Sequence, residues 1–127
     1  MNLDRLNDRQ KEAVLHRKGP LLVLAGAGSG KTSVLTSSIA YKIREESVDP
    51  RNILAITFTN KAANEMKVRV SDLLGMDVSN LWIGTFHSIC ARILRMNIDK
   101  IGYSNNFTIY DTQDQRTLIR DIIKDLI

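Results

Sequence analysis

The stretch "LAGAGSGKT", Leu24 to Thr32, sets glycines at 26, 28 and 30 ahead of a lysine and a threonine, directly after the apolar run "LLVLA" of Leu21 to Ala25. A turn of this kind lets successive backbone N–H groups converge on one anion, and a helix opening near Lys31 adds the positive end of its dipole. Lys31 then reaches the β- and γ-phosphates of a nucleotide, while the Thr32 hydroxyl is placed to ligate Mg²⁺. The bland alternative is a glycine-rich turn with a solvated lysine; an eight-residue match between an apolar strand and a helix argues against it. Ala25 stands where the usual pattern opens on glycine. It ends the strand, where a methyl group is tolerated at negative φ, and Gly28 and Gly30, nearer the phosphates, are present.

Outward from this loop the chain alternates short apolar runs with helical periodicities. "LLVLA" (Leu21 to Ala25), "ILAITFT" (Ile53 to Thr59), "LWIGT" (Leu81 to Thr85) and "FTIYD" (Phe107 to Asp111) are short, β-branched or aromatic, and bounded by turn residues, which predicts four strands. After each run apolar residues recur three or four apart: Leu35, Ile39, Ile43; Ala62, Met66, Val70, Leu73; Phe86, Ile89, Ile93, Ile101; Leu118, Ile122, Leu126. These predict four helices, and a further short one opens the chain, where Asn7 and Gln10 have capping-box spacing. The expected class is α/β, a parallel sheet with helices on both faces.

The 127 residues are 43% apolar, enough for one core, and a formal charge of +4 permits a polyanionic partner. The single cysteine, Cys90, excludes an internal disulfide and reads as packing on an apolar stripe. With no secretory or transit signal in "MNLDRLNDRQ" and no run long enough to span a bilayer, a cytoplasmic protein is expected. The last pattern, "TQDQRTLIRDIIKDLI", runs to Ile127 without glycine, cap or polar tail, which reads as a chain cut from a longer protein.

Ligands of an open parallel sheet bind outside the carboxyl ends of its strands, so the post-strand loops hold the other candidates. In "TFTNKAANEM", Phe58 is either a ring for a nucleic-acid base to stack on or a core residue, and Thr59 or Asn60 is either a polar contact or the cap of the next helix. In "IGTFHSICARILR", Gly84 permits close backbone approach and Thr85 and Ser88 are donors. His87 there either meets nucleic acid or, the commoner case, caps a helix or lies on the surface. Asp111 has the look of a Mg²⁺ carboxylate at a strand end, but an N-cap of the final helix is the favoured reading.

"LNDRQKEAV", "AGAGSGKT", "ITFTNKAANEM" and "IGTFHSICARILR", in this order and near these spacings, closely resemble the N-terminal part of superfamily 1A DNA helicases, the UvrD/Rep/PcrA group. The resemblance covers almost the whole chain and implies an ATP-dependent 3′ to 5′ DNA helicase of repair or replication, associated with the nucleoid. It implies that residues 1–111 are the N-terminal part of a P-loop NTPase (RecA-like) motor domain, incomplete here, and that 112–127 form the helix entering subdomain 1B. It assigns ATP to Gln10, which would read the adenine edge, and to Ala25, Gly26, Ala27, Gly28, Ser29, Gly30, Lys31 and Thr32, with Lys31 and Thr32 catalytic and Thr32 on Mg²⁺. It assigns single-stranded DNA, at duplex junctions, to Phe58, Thr59, Asn60, Thr85, Phe86 and His87. The family itself commonly has alanine at the position of Ala25, whereas Ser33 departs from its frequent arginine.

By the same resemblance Asp111 is not the magnesium carboxylate. The family's acidic motif, its γ-phosphate arginines and its second motor domain would lie beyond Ile127, so these 127 residues alone are expected to hydrolyse no appreciable ATP. The rival readings are a helicase–nuclease subunit of the AddA or RecB kind, and a nucleotide- or DNA-binding module without turnover.

Overall fold

The structure, a computed structural model, describes all 127 residues, Met1 to Ile127. Its elements run α1 (Asp8–Leu15), α2 (Lys31–Arg44), β1 (Leu54–Thr57), α3 (Asn60–Leu74), β2 (Trp82–Thr85), α4 (Phe86–Asn97) and α5 (Thr112–Leu126), with 3₁₀ turns at Pro50–Asn52 and Ile98–Ile101. Two compact units divide the chain, Met1–Cys90 and Ala91–Ile127.

In the first unit β1 and β2 pair in parallel, Leu54 opposite Trp82 through Thr57 opposite Thr85. A parallel pair needs a crossover, and α3 supplies it, capped by Thr59 at its start and ended by Gly75 in the left-handed conformation. Ala55 and Ile83, partners across the ladder, sink into a core with Met66 and Val70 of α3, Ile39 of α2, and Val78 and Leu81 of the approach to β2. A second cluster joins α1 to α2 through Val14, Leu6 and Val34. The expected capping box at α1 is present: Asn7 accepts from the Gln10 N–H, and the Gln10 side chain accepts from the Asn7 N–H.

Two of the four expected strands do not form. Leu21–Ala25 and Phe107–Asp111 make no ladder, and the sheet has two strands. Leu22 is 79% and Leu24 85% exposed. An apolar run becomes a strand only where a neighbour takes its N–H and C=O groups and a packed layer takes one of its faces. Within this chain only β1 and β2 find both. The fold is therefore mixed α/β, with a small parallel sheet in place of a four-stranded one.

The second unit holds the end of α4, the Ile98–Ile101 turn and α5. There the Arg95 guanidinium lies 4.4 Å above the Phe107 ring and donates to the Asn105 carbonyl at 2.8 Å. Asp111 is the N-cap of α5: its carboxylate accepts from Gln113 and Asp114, and Asp114 returns a bond from the Asp111 N–H. No residue of α5 is buried. Cys90 is exposed as well, a correction to its reading as packing: Ile89, one position earlier and about 100° around the helix, takes the buried side of α4.

The turn that leads into β1 carries a strongly perturbed carboxyl. The Arg51 guanidinium and the Arg51 N–H both bond Asp49, lowering its pKa from 3.8 to about 2. A depressed carboxyl contributes stability that is present above its unfolded pKa and is lost as pH falls through its folded one. Asp49→Ala should therefore be less stable than the parent chain at pH 6, and the difference should shrink between pH 4 and pH 2. A difference in urea midpoints that stays constant down to pH 2 would show that this ion pair does not carry it.

Candidate functional site

The glycine-rich loop from Ala25 to Thr32 is held by its own polar groups. Ser29 donates to the Gly26 carbonyl from its hydroxyl at 2.6 Å and its N–H at 3.3 Å. Lys31 folds back over the loop, its ammonium donating to the carbonyls of Ala25 at 2.8 Å and Gly26 at 2.9 Å. Gly30 takes a φ of 87°, open to glycine and strained for other residues, and stands at the N-cap of α2 without a side-chain bond to the helix. The first N–H groups of α2 thus have no capping side chain, the condition in which a helix start receives an anion. Ala25 has no positive φ, so its methyl group costs nothing there. Thr36 steadies the turn behind the loop, donating to the carbonyls of Thr32 and Ser33.

Lys31 and Thr32 also line a depression of about 450 Å³ whose other walls are Leu35, Thr57, Phe58, Thr59, Ala62, Glu65 and Met66. The lysine and threonine of the glycine-rich loop thereby share one cavity with the carboxyl end of β1. Glu65 had no place among the candidates. Its signal was available, since Ala62, Glu65 and Met66 follow helical spacing on α3 and face the same space.

The parallel register brings the loops after β1 and β2 side by side. Phe58 and Phe86, each just past its strand, have ring centroids 5.6 Å apart at a tilt of 43°. Phe58 is 89% exposed and Phe86 50% exposed, so neither is a core residue. Thr59 spends its hydroxyl capping α3, accepting from Ala62 at 3.1 Å, while Asn60 begins that helix and is exposed. Thr85 is 7% exposed. Its N–H donates to the Ser88 hydroxyl at 2.9 Å and its own hydroxyl accepts from the Ser88 N–H, which ties the start of α4. His87 is exposed beside this knot.

Ser88 thus closes a reciprocal cap with Thr85 across the turn that carries Phe86 and His87, and the Thr-x-x-Ser spacing was its signal. Gly84 leaves room for it: a Cβ there would come within 2.6 Å of the Ser88 hydroxyl and 3.2 Å of Ile89. The carboxyls whose acidity is strengthened, Glu45, Asp49 and Asp77, belong to other turns. No group of three or more His, Cys, Asp and Glu side chains is set to hold a metal ion, and no helix is long and apolar enough to cross a membrane.

Residues 6–127 match the profile of the UvrD/REP helicase N-terminal domain. The chain belongs to that family. It is 57% identical over 119 residues to the ATP-dependent DNA helicase PcrA of Staphylococcus epidermidis, an alignment covering 94% of this chain and 16% of that protein. It is 56% identical over 122 residues to the ATP-dependent DNA helicase PcrA of Staphylococcus aureus, covering 96% of this chain and 17% of that protein. The chain thus spans about a sixth of the length of these helicase relatives.

The crowding at Gly84 can be measured. Gly84→Ala should cost about 1–3 kcal/mol in urea unfolding, from overpacking against Ser88 and Ile89. Ser88→Ala in the same chain should relieve part of that cost. Strictly additive losses in the double variant would refute a clash between these two positions.

Proposed function

We propose that this chain is the ATP- and single-stranded-DNA-binding N-terminal part of an ATP-dependent 3′ to 5′ DNA helicase that acts in repair or replication, near the nucleoid. The observation that carries the reading is the shared depression, which seats Lys31 and Thr32 against Phe58 and Thr59. A motor of this kind needs its nucleotide and its strand contact mechanically joined, and one wall serves both. Residues 1–111 are proposed as the beginning of a RecA-like P-loop NTPase domain, and 112–127 as the helix that enters the next subdomain. Identity of 56–57% to proteins named as helicases favours this over a helicase–nuclease subunit.

Ala25 to Thr32 would wrap the triphosphate, with Gln10 at the adenine edge. Lys31 would exchange its two loop carbonyls for the β- and γ-oxygens. The ammonium already makes charged-donor bonds to the carbonyls, but only phosphate oxygens carry the opposite charge, so the exchange would add Coulomb attraction once phosphate is present. Thr32, exposed at the loop's end and bordering the depression, would offer its hydroxyl to a Mg²⁺ ion, which would neutralise charge on the β- and γ-phosphates.

On the DNA side, the exposed rings of Phe58 and Phe86 would take bases without regard to sequence. Asn60 and His87 would contact the strand from the two helix starts, and Thr59 and Thr85 would set those starts in place. Stacking on an aromatic ring is worth about 1–3 kcal/mol per base.

Two variants separate the functions. Phe58→Ala should weaken binding of an oligothymidylate roughly 5- to 150-fold, the range that stacking energy implies, and leave ATP affinity within about two-fold. Lys31→Ala should do the reverse. Fluorescence anisotropy with labelled DNA and calorimetry with Mg·ATP read the two arms. DNA affinity unchanged by Phe58→Ala would remove Phe58 from the strand contact, and ATP affinity unchanged by Lys31→Ala would remove the nucleotide from the loop.

A further inference from the structure

The side-chain amide of Gln10 is engaged at both ends. Its Oε1 accepts from the Asn7 N–H at 2.9 Å, closing the α1 capping box, and its Nε2 donates to the Ser29 carbonyl at 3.1 Å, nineteen residues along the chain. The same Nε2 lies where Gly30 has no side chain, since a Cβ on Gly30 would stand 2.6 Å from it. Gln10 therefore packs directly over the last turn of the glycine-rich loop, at a residue with a φ of 87°. Ser29 is itself the residue that ties the loop together through the Gly26 carbonyl. A hold on Ser29 is a hold on the Gly26–Ser29 turn of the loop.

We infer that Gln10 is a positioning residue for the phosphate loop: by bonding the Ser29 carbonyl and covering Gly30, it holds the loop's N–H groups for a polyphosphate whatever base is attached. The inference rests on the nucleotide-binding reading above and goes beyond a base-reading role for this residue. The two roles coexist, because a glutamine amide has two N–H donors and two acceptor lone pairs. One of each is used by Ser29 and Asn7, and one of each remains for a purine edge. The same amide then links α1, the loop and the base.

Inorganic tripolyphosphate, which has no base, separates positioning from reading. Gln10→Met keeps the length and volume of the side chain without its amide. Asn7→Ala breaks the capping box from the other end while leaving Gln10 and Ser29 in place, and so controls for any loosening of α1. Calorimetry on the full chain with Mg²⁺ should show Gln10→Met binding tripolyphosphate roughly 3- to 10-fold more weakly than the parent, the value of one hydrogen bond, with Asn7→Ala close to the parent. In the ligand-free chain, the amide of Ser29, bonded to the Gly26 carbonyl, should exchange hydrogen faster in Gln10→Met than in Asn7→Ala.

Loss of ATP binding in Gln10→Met with unchanged tripolyphosphate binding and unchanged exchange would overturn the inference and leave Gln10 a base reader only. An equal loss of tripolyphosphate binding in Asn7→Ala would also overturn it, by assigning the effect to α1. A parent chain that binds neither ligand would overturn the nucleotide reading itself, and this inference with it.

Discussion

The parallel pairing of Leu54–Thr57 with Trp82–Thr85 is the constraint on which the first unit depends. Two adjacent parallel strands cannot be joined by a tight turn, so the chain must leave the sheet and return, and α3 is that return path. The crossover helix buries Met66 and Val70 against Ala55 and Ile83 and gives α2 a surface to pack on. The same pairing sets both strand ends at one edge, Thr57 beside Thr85. Phe58 and Phe86, 28 positions apart in the chain, thereby become neighbours.

Polar side chains in this chain act chiefly as fasteners at the ends of elements. Asn7 and Gln10 fasten α1, Thr59 fastens α3, Thr85 and Ser88 fasten α4, and Asp111 and Asp114 fasten α5. Each of these satisfies backbone N–H groups that a helix start would leave open, and each such cap is worth about 1 kcal/mol. The start of α2 is different. It has glycine at its cap and no side chain on its first N–H groups, and the loop before it is closed only by Ser29, Lys31 and Gln10. The two Lys31 bonds, to the carbonyls of Ala25 and Gly26, lie outside the helix ladder, so their release leaves the helix intact.

Legibility differed by residue. The helices were readable because a 3.6-residue period repeated over several turns is long enough to average out exceptions, and α1 and α5 even declared their caps. The strands were not equally readable: "LLVLA" and "ILAITFT" have the same character, yet one is an exposed run and the other yields β1. At the site, Gly28, Gly30 and Lys31 were legible as a tight glycine turn opening a helix, and the structure has that turn. The choice between core and surface for Phe58 was open, since an aromatic ring at a strand end satisfies either pattern.

The sequence by itself determined the local elements: where helices begin, where the glycine-rich turn falls, and which family the chain resembles. These follow from short-range periodicity, glycine placement and capping spacing, all of which act within a few residues. Only the tertiary structure decided which apolar runs pair, that Phe58 and Phe86 lie exposed together, that Lys31 and Glu65 line one depression, and that Gln10 reaches across nineteen residues to Ser29. Each of those depends on a partner distant in the chain. A strand, a platform of two rings or a clamped loop exists only when the partner arrives, and no local pattern records that.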